Sequence, residues 1–322
     1  MSSNLKVALV GDFHQDGIDI LEKNNIICEK VFDYSKENMI DRLKDVHGIG
    51  IRTIPLFSDI LSKCNNLKIV GRHGVGYDSV DLKYLNENKI PLAVTGTSNA
   101  VSVAEHVLMM FLSSARRTIF ADKLVKDGKF SEKTLVKNTY ELFQKNILII
   151  GFGRIGKALA KRCLAFEAKV FVYDPFIEKN VIEESQCHYI DFKEGLSLAD
   201  FITLHLPLSE KTMNLISHNE FNLMKKNCIL VNTSRGGIVN QDALINALNN
   251  KLIFAAGLDV FLPEPPEKND PILVTENLIF SPHNSALTLE GRKRMSVETI
   301  ENIVSHLNGN TNLDNIINKD IL

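Results

Sequence analysis

The residues with the clearest chemical potential are three glycines in the middle of the chain, Gly151, Gly153 and Gly156, spaced G-x-G-x-x-G. They follow an apolar run, 146–150, that is typical of a buried strand, and a helical pattern begins directly after them. In such a loop the first glycine permits a tight turn, the second lets the backbone approach a pyrophosphate, and the third allows helix and strand to pack closely. The pattern therefore predicts a dinucleotide site, with the phosphates bound at the helix N-terminus.

An acidic residue, Asp174, ends the next predicted strand, 169–173. A carboxylate at this place accepts hydrogen bonds from the adenosine ribose and repels a 2′-phosphate. The residues after it, Pro175 and Phe176, carry no positive charge that would offset the repulsion. The sequence therefore predicts NAD, rather than NADP, as the cofactor.

Three more residues with useful chemistry follow later predicted strands. Arg235 comes directly after 228–232 and before two glycines, where its planar fork could bind a carboxylate and polarise the neighbouring carbonyl. Glu264 lies in a Pro-rich loop, and His283 follows 278–280. A glutamate that hydrogen bonds a histidine stabilises its protonated form, so the imidazole can exchange a proton with a substrate oxygen. Glu264 and His283 are ambiguous individually, but together with Arg235 and the nucleotide loop they indicate hydride-transfer chemistry.

The elements that must position these residues alternate between strand and helix on both sides of the glycine loop. This alternation predicts an α/β fold with two Rossmann-like, doubly wound parallel sheets. A long helix is expected at 100–126 and a C-terminal helix at 289–307. The remaining predicted strands are 5–10, 48–52, 67–70, 91–94, 201–206, 228–232, 255–260 and 278–280.

The central position of the glycine loop predicts a discontinuous domain organisation. We expect an NAD-binding domain at 100–286, inserted into a substrate (catalytic) domain formed by 1–99 and 287–322. The two chain crossings would form a hinge, with the substrate held between the domains.

Composition argues against several classes of partner. A formal net charge of −2 on 322 residues gives no reason to expect nucleic acid or an anionic membrane as a partner. No apolar stretch approaches the roughly 20 residues that a membrane helix needs, and the first residues do not resemble a secretory leader. The five cysteines are scattered without a C-x-x-C pair, which predicts reduced thiols in the cytoplasm rather than disulfides or a metal site.

Taken together, the motifs resemble the family of D-isomer-specific 2-hydroxyacid dehydrogenases over nearly the whole chain. The segments that carry the resemblance are 72–78, 99 with 104–106, 151–156 with 174, 205–208, 232–239, 259–265 and 281–286. The resemblance implies a catalytic triad of Arg235, Glu264 and His283, and a homodimer formed through the cofactor domains. The presence of Glu264, rather than a glutamine, argues against the related formate dehydrogenases.

The same resemblance implies roles for further residues. The backbone N–H groups of Val75 and Gly76 would bind the substrate carboxylate, and Asp259 would contact the nicotinamide amide. The other cofactor contacts expected from the family pattern are Arg154 and Ile155 under the pyrophosphate, and Leu206, Pro207, Thr233, Ser234 and Ala286.

The identity of the substrate stays open at this point. Arg52 and Arg72 end predicted strands, as in phosphoglycerate dehydrogenases of the family, and could bind a phosphate. They could equally be salt-bridge partners between the domains. The stretch 284–288 is more similar to other family members, so glyoxylate, hydroxypyruvate and sulfonated or branched 2-hydroxy acids are alternatives to 3-phosphoglycerate. A non-enzymatic alternative is an NAD(H)-sensing, corepressor-like binding protein, although a pure sensor has no need of a proton shuttle.

Overall fold

A computed structural model describes residues 5–322. The described chain forms two compact units, one made of 5–99 together with Leu287–Leu322 and the other of Ala100–Ala286. Each unit contains one sheet, and in both sheets every paired strand runs parallel to its neighbour. Apolar clusters cover both faces of each sheet, as in doubly wound α/β folds. The predicted fold class is confirmed.

The helices and strands alternate along most of the chain. The strands are β1 (Lys6–Val10), β2 (Ile27–Val31), β3 (Gly48–Ile51), β4 (Ile69–Arg72), β5 (Leu92–Val94), β6 (Asn146–Ile150), β7 (Lys169–Tyr173), β8 (His188–Tyr189), β9 (Phe201–Leu204), β10 (Ile229–Asn232), β11 (Ala255–Leu258) and β12 (Leu278–Phe280). The α-helices are α1 (Gln15–Lys23), α2 (Lys36–Leu43), α3 (Ser58–Leu61), α4 (Leu82–Glu87), α5 (Ala100–Ala115), α6 (Thr118–Lys126), α7 (Arg154–Ala165), α8 (Lys179–Glu184), α9 (Phe192–Leu198), α10 (His218–Leu223), α11 (Gln241–Asn249) and α12 (Leu289–Leu307). Short 3-10 turns occur at Phe130–Leu135, Pro271–Val274, Leu313–Asn315 and Lys319–Ile321.

The first unit has a five-stranded sheet in the order β2-β1-β3-β4-β5. Helix α12 returns to this sheet and buries Ile300 and Ile303 completely. Two glycines in the sheet allow the close approach, because a Cβ at Gly48 or Gly71 would lie 2.8 Å from side-chain atoms of Ile303. The carboxyl ends of β3 and β4 carry Arg52 and Arg72.

The second unit has a seven-stranded sheet in the order β12-β11-β10-β9-β6-β7-β8. Strand β6 is the point at which the strand order reverses, because β7 and β8 lie on one side of it and β9 to β12 on the other. The glycine loop begins at the carboxyl end of β6. In open α/β sheets, ligands bind at the carboxyl ends of strands near such a reversal. The sheet therefore collects the loops after β6, β9, β10, β11 and β12 along one edge.

Three details of the sequence prediction were wrong. Strands β2 and β8 were not predicted, because both are edge strands whose side chains are mostly partly or fully exposed, so an apolar run is absent. The helix expected at 100–126 is two helices, α5 and α6, separated at Arg117, whose backbone is left-handed with φ of 50°. A left-handed residue cannot continue a right-handed helix, so the chain changes direction there.

Candidate active site

The glycine loop after β6 has the geometry that its spacing predicts. Gly151 has a φ of 96°, and a Cβ there would lie 2.5 Å from the carbonyl oxygen of His205. A Cβ at Gly156 would lie 2.3 Å from the carbonyl oxygen of Gly151. Gly153, the N-cap of α7, has open space where a Cβ would be. The first and third glycines are thus needed for packing, and the second leaves the N-terminus of α7 accessible to a pyrophosphate.

The carboxylate of Asp174 lies beside this loop. One oxygen accepts a hydrogen bond from the backbone N–H of Phe152 at 2.8 Å, and the other accepts from that of Phe176 at 2.9 Å. The side chain therefore joins the end of β7 to the glycine loop. This is the position that a ribose-binding carboxylate requires in a dinucleotide fold.

The other expected cofactor contacts lie in loops at the same edge of the sheet. Arg154 and Ile155 form the first turn of α7. Leu206 and Pro207 follow β9, and a Cδ of Leu206 would lie 3.0 Å from a Cβ on Gly151. Thr233 and Ser234 follow β10, and Ala286 is the last residue of the second unit.

Thr233 provides an independent sign of a ligand. Its hydroxyl is buried and has no hydrogen-bond partner among residues 5–322. A buried hydroxyl without a partner is costly unless a bound molecule satisfies it. The open Gly153 and the unsatisfied Thr233 hydroxyl both fit a dinucleotide cofactor.

Arg235, Glu264 and His283 lie in the loops after the adjacent strands β10, β11 and β12. Nδ1 of His283 is 2.5 Å from Oε1 of Glu264. An ionised carboxylate can only accept hydrogen bonds, so Nδ1 carries the hydrogen and Nε2 is the atom left to exchange a proton. The two side chains are 42% and 39% exposed, which leaves the imidazole accessible to a substrate.

The turn that carries Arg235 is organised by the buried side chain of Asn232. Its amide nitrogen donates to the carbonyl oxygen of Arg235 at 2.8 Å, and its amide oxygen accepts from the backbone N–H of Ser234 at 3.0 Å. The turn also packs against the loop of Glu264, because a Cβ at Gly236 would lie 1.9 Å from the carbonyl oxygen of Phe261. The structure thus brings the turn of Arg235 and the Glu264–His283 pair together.

Asp259 is fully buried and directly supports the loop of His283. Its carboxylate accepts hydrogen bonds from the hydroxyl of Ser281 at 2.5 Å and from the backbone N–H groups of Asn284 and Ser285 at 2.9 and 3.1 Å. The sequence suggested only a contact with nicotinamide for this residue. Its position adds a second task, which is to hold the side chain of Ser281 before His283 and the backbone directly after His283.

The predicted substrate residues lie in the first unit, at the carboxyl ends of β3 and β4. Arg52 donates to the carbonyl oxygen of Asp12 at 3.3 Å, and Arg72 donates to the carbonyl oxygen of His73. Val75 and Gly76 follow in the turn after β4. Because these residues come from neighbouring strands, the sheet places Arg52 and the loop of Arg72 at one edge.

A third arginine of this group, Arg292, lies in the first turn of α12 and was not predicted from the sequence. Burial, together with the positive charge of Arg292, lowers the pKa of Arg52. Burial, followed by the charges of Arg52 and Arg72, lowers the pKa of His73 to about 3, so this histidine is neutral at physiological pH. The group is therefore rich in fixed positive charge. Arg52 and Arg292 are far apart along the chain, so no local sequence pattern indicates that they belong to the same group.

Comparison with known proteins places the chain in a family. Residues 108–285 match the family model for the NAD-binding domain of D-isomer specific 2-hydroxyacid dehydrogenases. The chain belongs to this family. The match agrees with the resemblance and with the predicted cofactor, NAD, and it covers the glycine loop, Asp174 and the loops of the Arg–Glu–His set.

Individual relatives cover both units. The D-3-phosphoglycerate dehydrogenase of Methanocaldococcus jannaschii is 36% identical over 98% of this chain and 59% of that protein. The hydroxypyruvate reductase of Thermotoga maritima is 35% identical over 84% of this chain and 88% of that protein. The structure of D-lactate dehydrogenase from Aquifex aeolicus, complexed with NAD and lactic acid, matches with a TM-score of 0.84 at 27% identity, over 97% of this chain and 98% of that one.

The relatives differ in length. This chain spans 58% and 59% of the length of two of the phosphoglycerate dehydrogenases that it matches. Within residues 5–322, no helix combines the length and apolar character needed to cross a bilayer. The same residues contain no group of three or more histidine, cysteine, aspartate or glutamate side chains arranged to hold a metal ion.

Proposed function

We propose that the protein is an NAD-dependent dehydrogenase that interconverts a D-2-hydroxy acid and the corresponding 2-oxo acid. The observation that carries this proposal is the 2.5 Å pair of Glu264 and His283, held next to the turn of Arg235 on three adjacent strands of an NAD-binding sheet. A binding protein would need the nucleotide loop, but it would not need a proton-exchanging histidine oriented by a carboxylate.

Each residue of the proposed site has a defined task. NAD, when bound, supplies or accepts the hydride at C2 of the substrate. The guanidinium of Arg235 binds the substrate carboxylate and polarises the C2 carbonyl, with the backbone N–H groups of Val75 and Gly76 as further carboxylate donors. Nε2 of His283 gives a proton to the carbonyl oxygen during reduction and takes it back during oxidation, while Glu264 keeps Nδ1 hydrogen bonded.

Oxidation of NADH in the presence of a panel of 2-oxo acids tests this activity directly. Glyoxylate, hydroxypyruvate, 3-phosphohydroxypyruvate and pyruvate form a suitable panel, and NADH binding is measured in parallel by fluorescence. Turnover of at least one acid is expected. Tight NADH binding without turnover of any acid would refute the enzyme and favour the NAD(H)-sensing alternative.

We further propose that the substrate carries a second anionic group, such as a phosphate, bound by Arg52, Arg72 and Arg292. The charge of Arg292 acts on Arg52, although like charges repel and cost free energy unless an anion compensates them. Neither Arg52 nor Arg292 forms a salt bridge to a carboxylate within the described part of the chain. This accumulation of like charge supports a ligand-binding task for the group.

The substrate proposal predicts a large preference for 3-phosphohydroxypyruvate over hydroxypyruvate in kcat/KM. Replacing Arg52 with alanine should remove about 10- to 100-fold of that preference, the usual value of a hydrogen bond to a charged group. The exposed lysine Lys63 of the same unit, changed to alanine, is the matched control and should leave the preference intact. Equal kcat/KM values in the unchanged protein would discard the phosphate and leave a glyoxylate, hydroxypyruvate or other 2-oxo acid reductase.

A homodimer through the second unit is also part of the proposal. Several large apolar side chains between α5 and β6 are exposed, including Phe130 at 72%, Ile119 at 61% and Val125 at 57%. The three residues lie within 12 positions of the chain, and contiguous exposed apolar patches mark protein–protein interaction sites. Their position in the cofactor-binding unit supports the dimer that the family resemblance implies.

Light scattering after size exclusion tests the dimer. The unchanged protein should have twice the mass of the 36.1 kDa chain, and Phe130→Asp should shift it toward the monomer. Phe176, which is 89% exposed elsewhere on the same unit, provides the control as Phe176→Asp.

A cytoplasmic location completes the proposal, and it is supported by five cysteines that are all unbridged.

A further inference from the structure

His106, on α5, contacts the loop of His283 although neither the nucleotide site nor the proposed chemistry accounts for it. Its Nε2 is 2.8 Å from the hydroxyl oxygen of Ser281, a residue 175 positions later in the chain. The same nitrogen is 3.9 Å from Oδ1 of Asp259. The side chain of His106 is only 15% exposed, so these contacts are largely shielded from water.

The hydrogen-bond directions follow from the chemistry of the groups. The Asp259 carboxylate is acceptor-only when ionised, so the hydroxyl of Ser281 must donate to it across 2.5 Å. The Ser281 oxygen then has only lone pairs to offer, and Nε2 of His106 must carry the hydrogen. The three side chains therefore form a directed relay from His106 through Ser281 to Asp259.

Asp259, at the end of this relay, hydrogen bonds the residues on either side of His283. Asp259 binds Ser281 two residues before the histidine and the N–H groups of Asn284 and Ser285 directly after it. His283 itself has a φ of 49°, in the left-handed region that side-chain-bearing residues seldom adopt. Such a conformation persists only where the surrounding contacts fix it.

We propose that His106 is a positioning residue that fixes the orientation of His283 through Ser281 and Asp259. The relay prevents the Ser281 hydroxyl from rotating away from Asp259, and Asp259 in turn holds the left-handed backbone of His283. His106 touches neither substrate nor cofactor in this role. The consequence for turnover rests on the proposed dehydrogenase activity, whereas the effect on the loop does not.

His106→Phe removes the donor and keeps a planar ring, and His106→Gln restores an N–H near the place of Nε2. We expect the phenylalanine variant to lose about 10-fold in kcat with little change in the KM for NADH, because small displacements of a reacting group are costly. The glutamine variant should recover most of the loss. His188→Phe is the matched control, since this exposed histidine lies on β8, at the opposite edge of the same sheet.

Two combined variants separate positioning from a general loss of structure. In a His283→Ala background, His106→Phe should have no further effect on the residual rate, because its influence passes through His283. Ser281→Ala breaks the relay at its middle residue, and the double variant with His106→Phe should be no slower than the slower single variant. Ser281→Ala also tests the relay if the phenylalanine variant does not fold.

A measurement without turnover tests the loop itself. The rate at which diethyl pyrocarbonate modifies His283, followed by mass spectrometry of the peptide, should change several-fold in His106→Phe and stay constant in His188→Phe. Failure of the unchanged protein to turn over any 2-oxo acid would refute the proposed function but not this result. Three results would each overturn the positioning role. They are an unaltered kcat and modification rate in His106→Phe, no recovery of kcat in His106→Gln, and an additional loss of rate when His106→Phe is added to His283→Ala.

Discussion

Replacing Gly236 with alanine tests how the turn of Arg235 is held against the loop of Glu264. The substitution adds one methyl group and changes no charge or polar group. That methyl carbon would lie 1.9 Å from the carbonyl oxygen of Phe261 and 2.2 Å from its carbonyl carbon. Both are backbone atoms, so no side-chain rotation can relieve the overlap.

The size of the effect follows from the distance. Ordinary van der Waals contact begins at 3.4 Å, so the turn of Arg235 and the backbone at Phe261 must separate by about 1.5 Å. Overpacking of a well-packed site usually costs about 1–3 kcal/mol in the free energy of unfolding. A displacement of about 1 Å in a reacting group can cost about 10²-fold in rate, so we expect a loss of at least that size in kcat/KM.

The assay combines steady-state kinetics with the best 2-oxo acid, thermal unfolding and NADH binding. Gly153→Ala is the matched control, because its φ of −73° suits alanine and its Cβ would meet open space. Gly153→Ala should keep the melting temperature while weakening NADH binding by about 10-fold or more, since the methyl group occupies the space that the pyrophosphate needs. Gly236→Ala should show the reverse, with a lower melting temperature, lost turnover and less change in NADH affinity.

An unchanged melting temperature and turnover in Gly236→Ala would contradict this prediction. That result would mean that the turn of Arg235 moves freely relative to the loop of Glu264. Unchanged NADH affinity in Gly153→Ala would separately show that the pyrophosphate does not approach this glycine.

Three further substitutions test single roles. His283→Ala should lower kcat by about 10²-fold or more, the scale for loss of a general acid/base, with NADH affinity preserved; an unaltered kcat would exclude Nε2 as the proton donor. Glu264→Gln should lower the reduction rate at neutral pH by about 10-fold, because a neutral amide supports the imidazolium less well than a carboxylate does; equal rates would separate Glu264 from the chemistry. Asp174→Ser should raise the ratio of kcat/KM for NADPH to that for NADH by about 10-fold or more, since the repulsion of the 2′-phosphate disappears; a constant ratio would place the adenosine away from β7.

Local patterns were sufficient to predict the parts of the site that a short segment builds by itself. The glycine spacing determines a turn between strand and helix, and the positions at Gly151 and Gly156 leave no room for a side chain in the structure either. The residues after predicted strands were also informative, because parallel strands present their carboxyl ends at one edge. Arg235, Glu264 and His283 could therefore be grouped from the sequence alone.

Exposure and chain reversals limited the prediction of the fold. The edge strands β2 and β8 are too exposed to show an apolar run, and the two-residue length of β8 gives no period to detect. The break between α5 and α6 depends on one left-handed residue, Arg117, which is not a glycine and carries no sequence mark. Such features depend on packing around the segment rather than on its own residues.

The sequence by itself predicted the α/β class, NAD as the cofactor and the candidate residues for acid–base and anion-binding chemistry, because each of these depends on residue type and on short-range spacing. Only the tertiary structure placed Arg292 within electrostatic reach of Arg52, and His106 within a hydrogen bond of Ser281. It also showed that the Asp259 carboxylate holds the backbone around His283. These contacts join residues that are up to 240 positions apart, so they form only when separate elements pack, and no local pattern of residues encodes them.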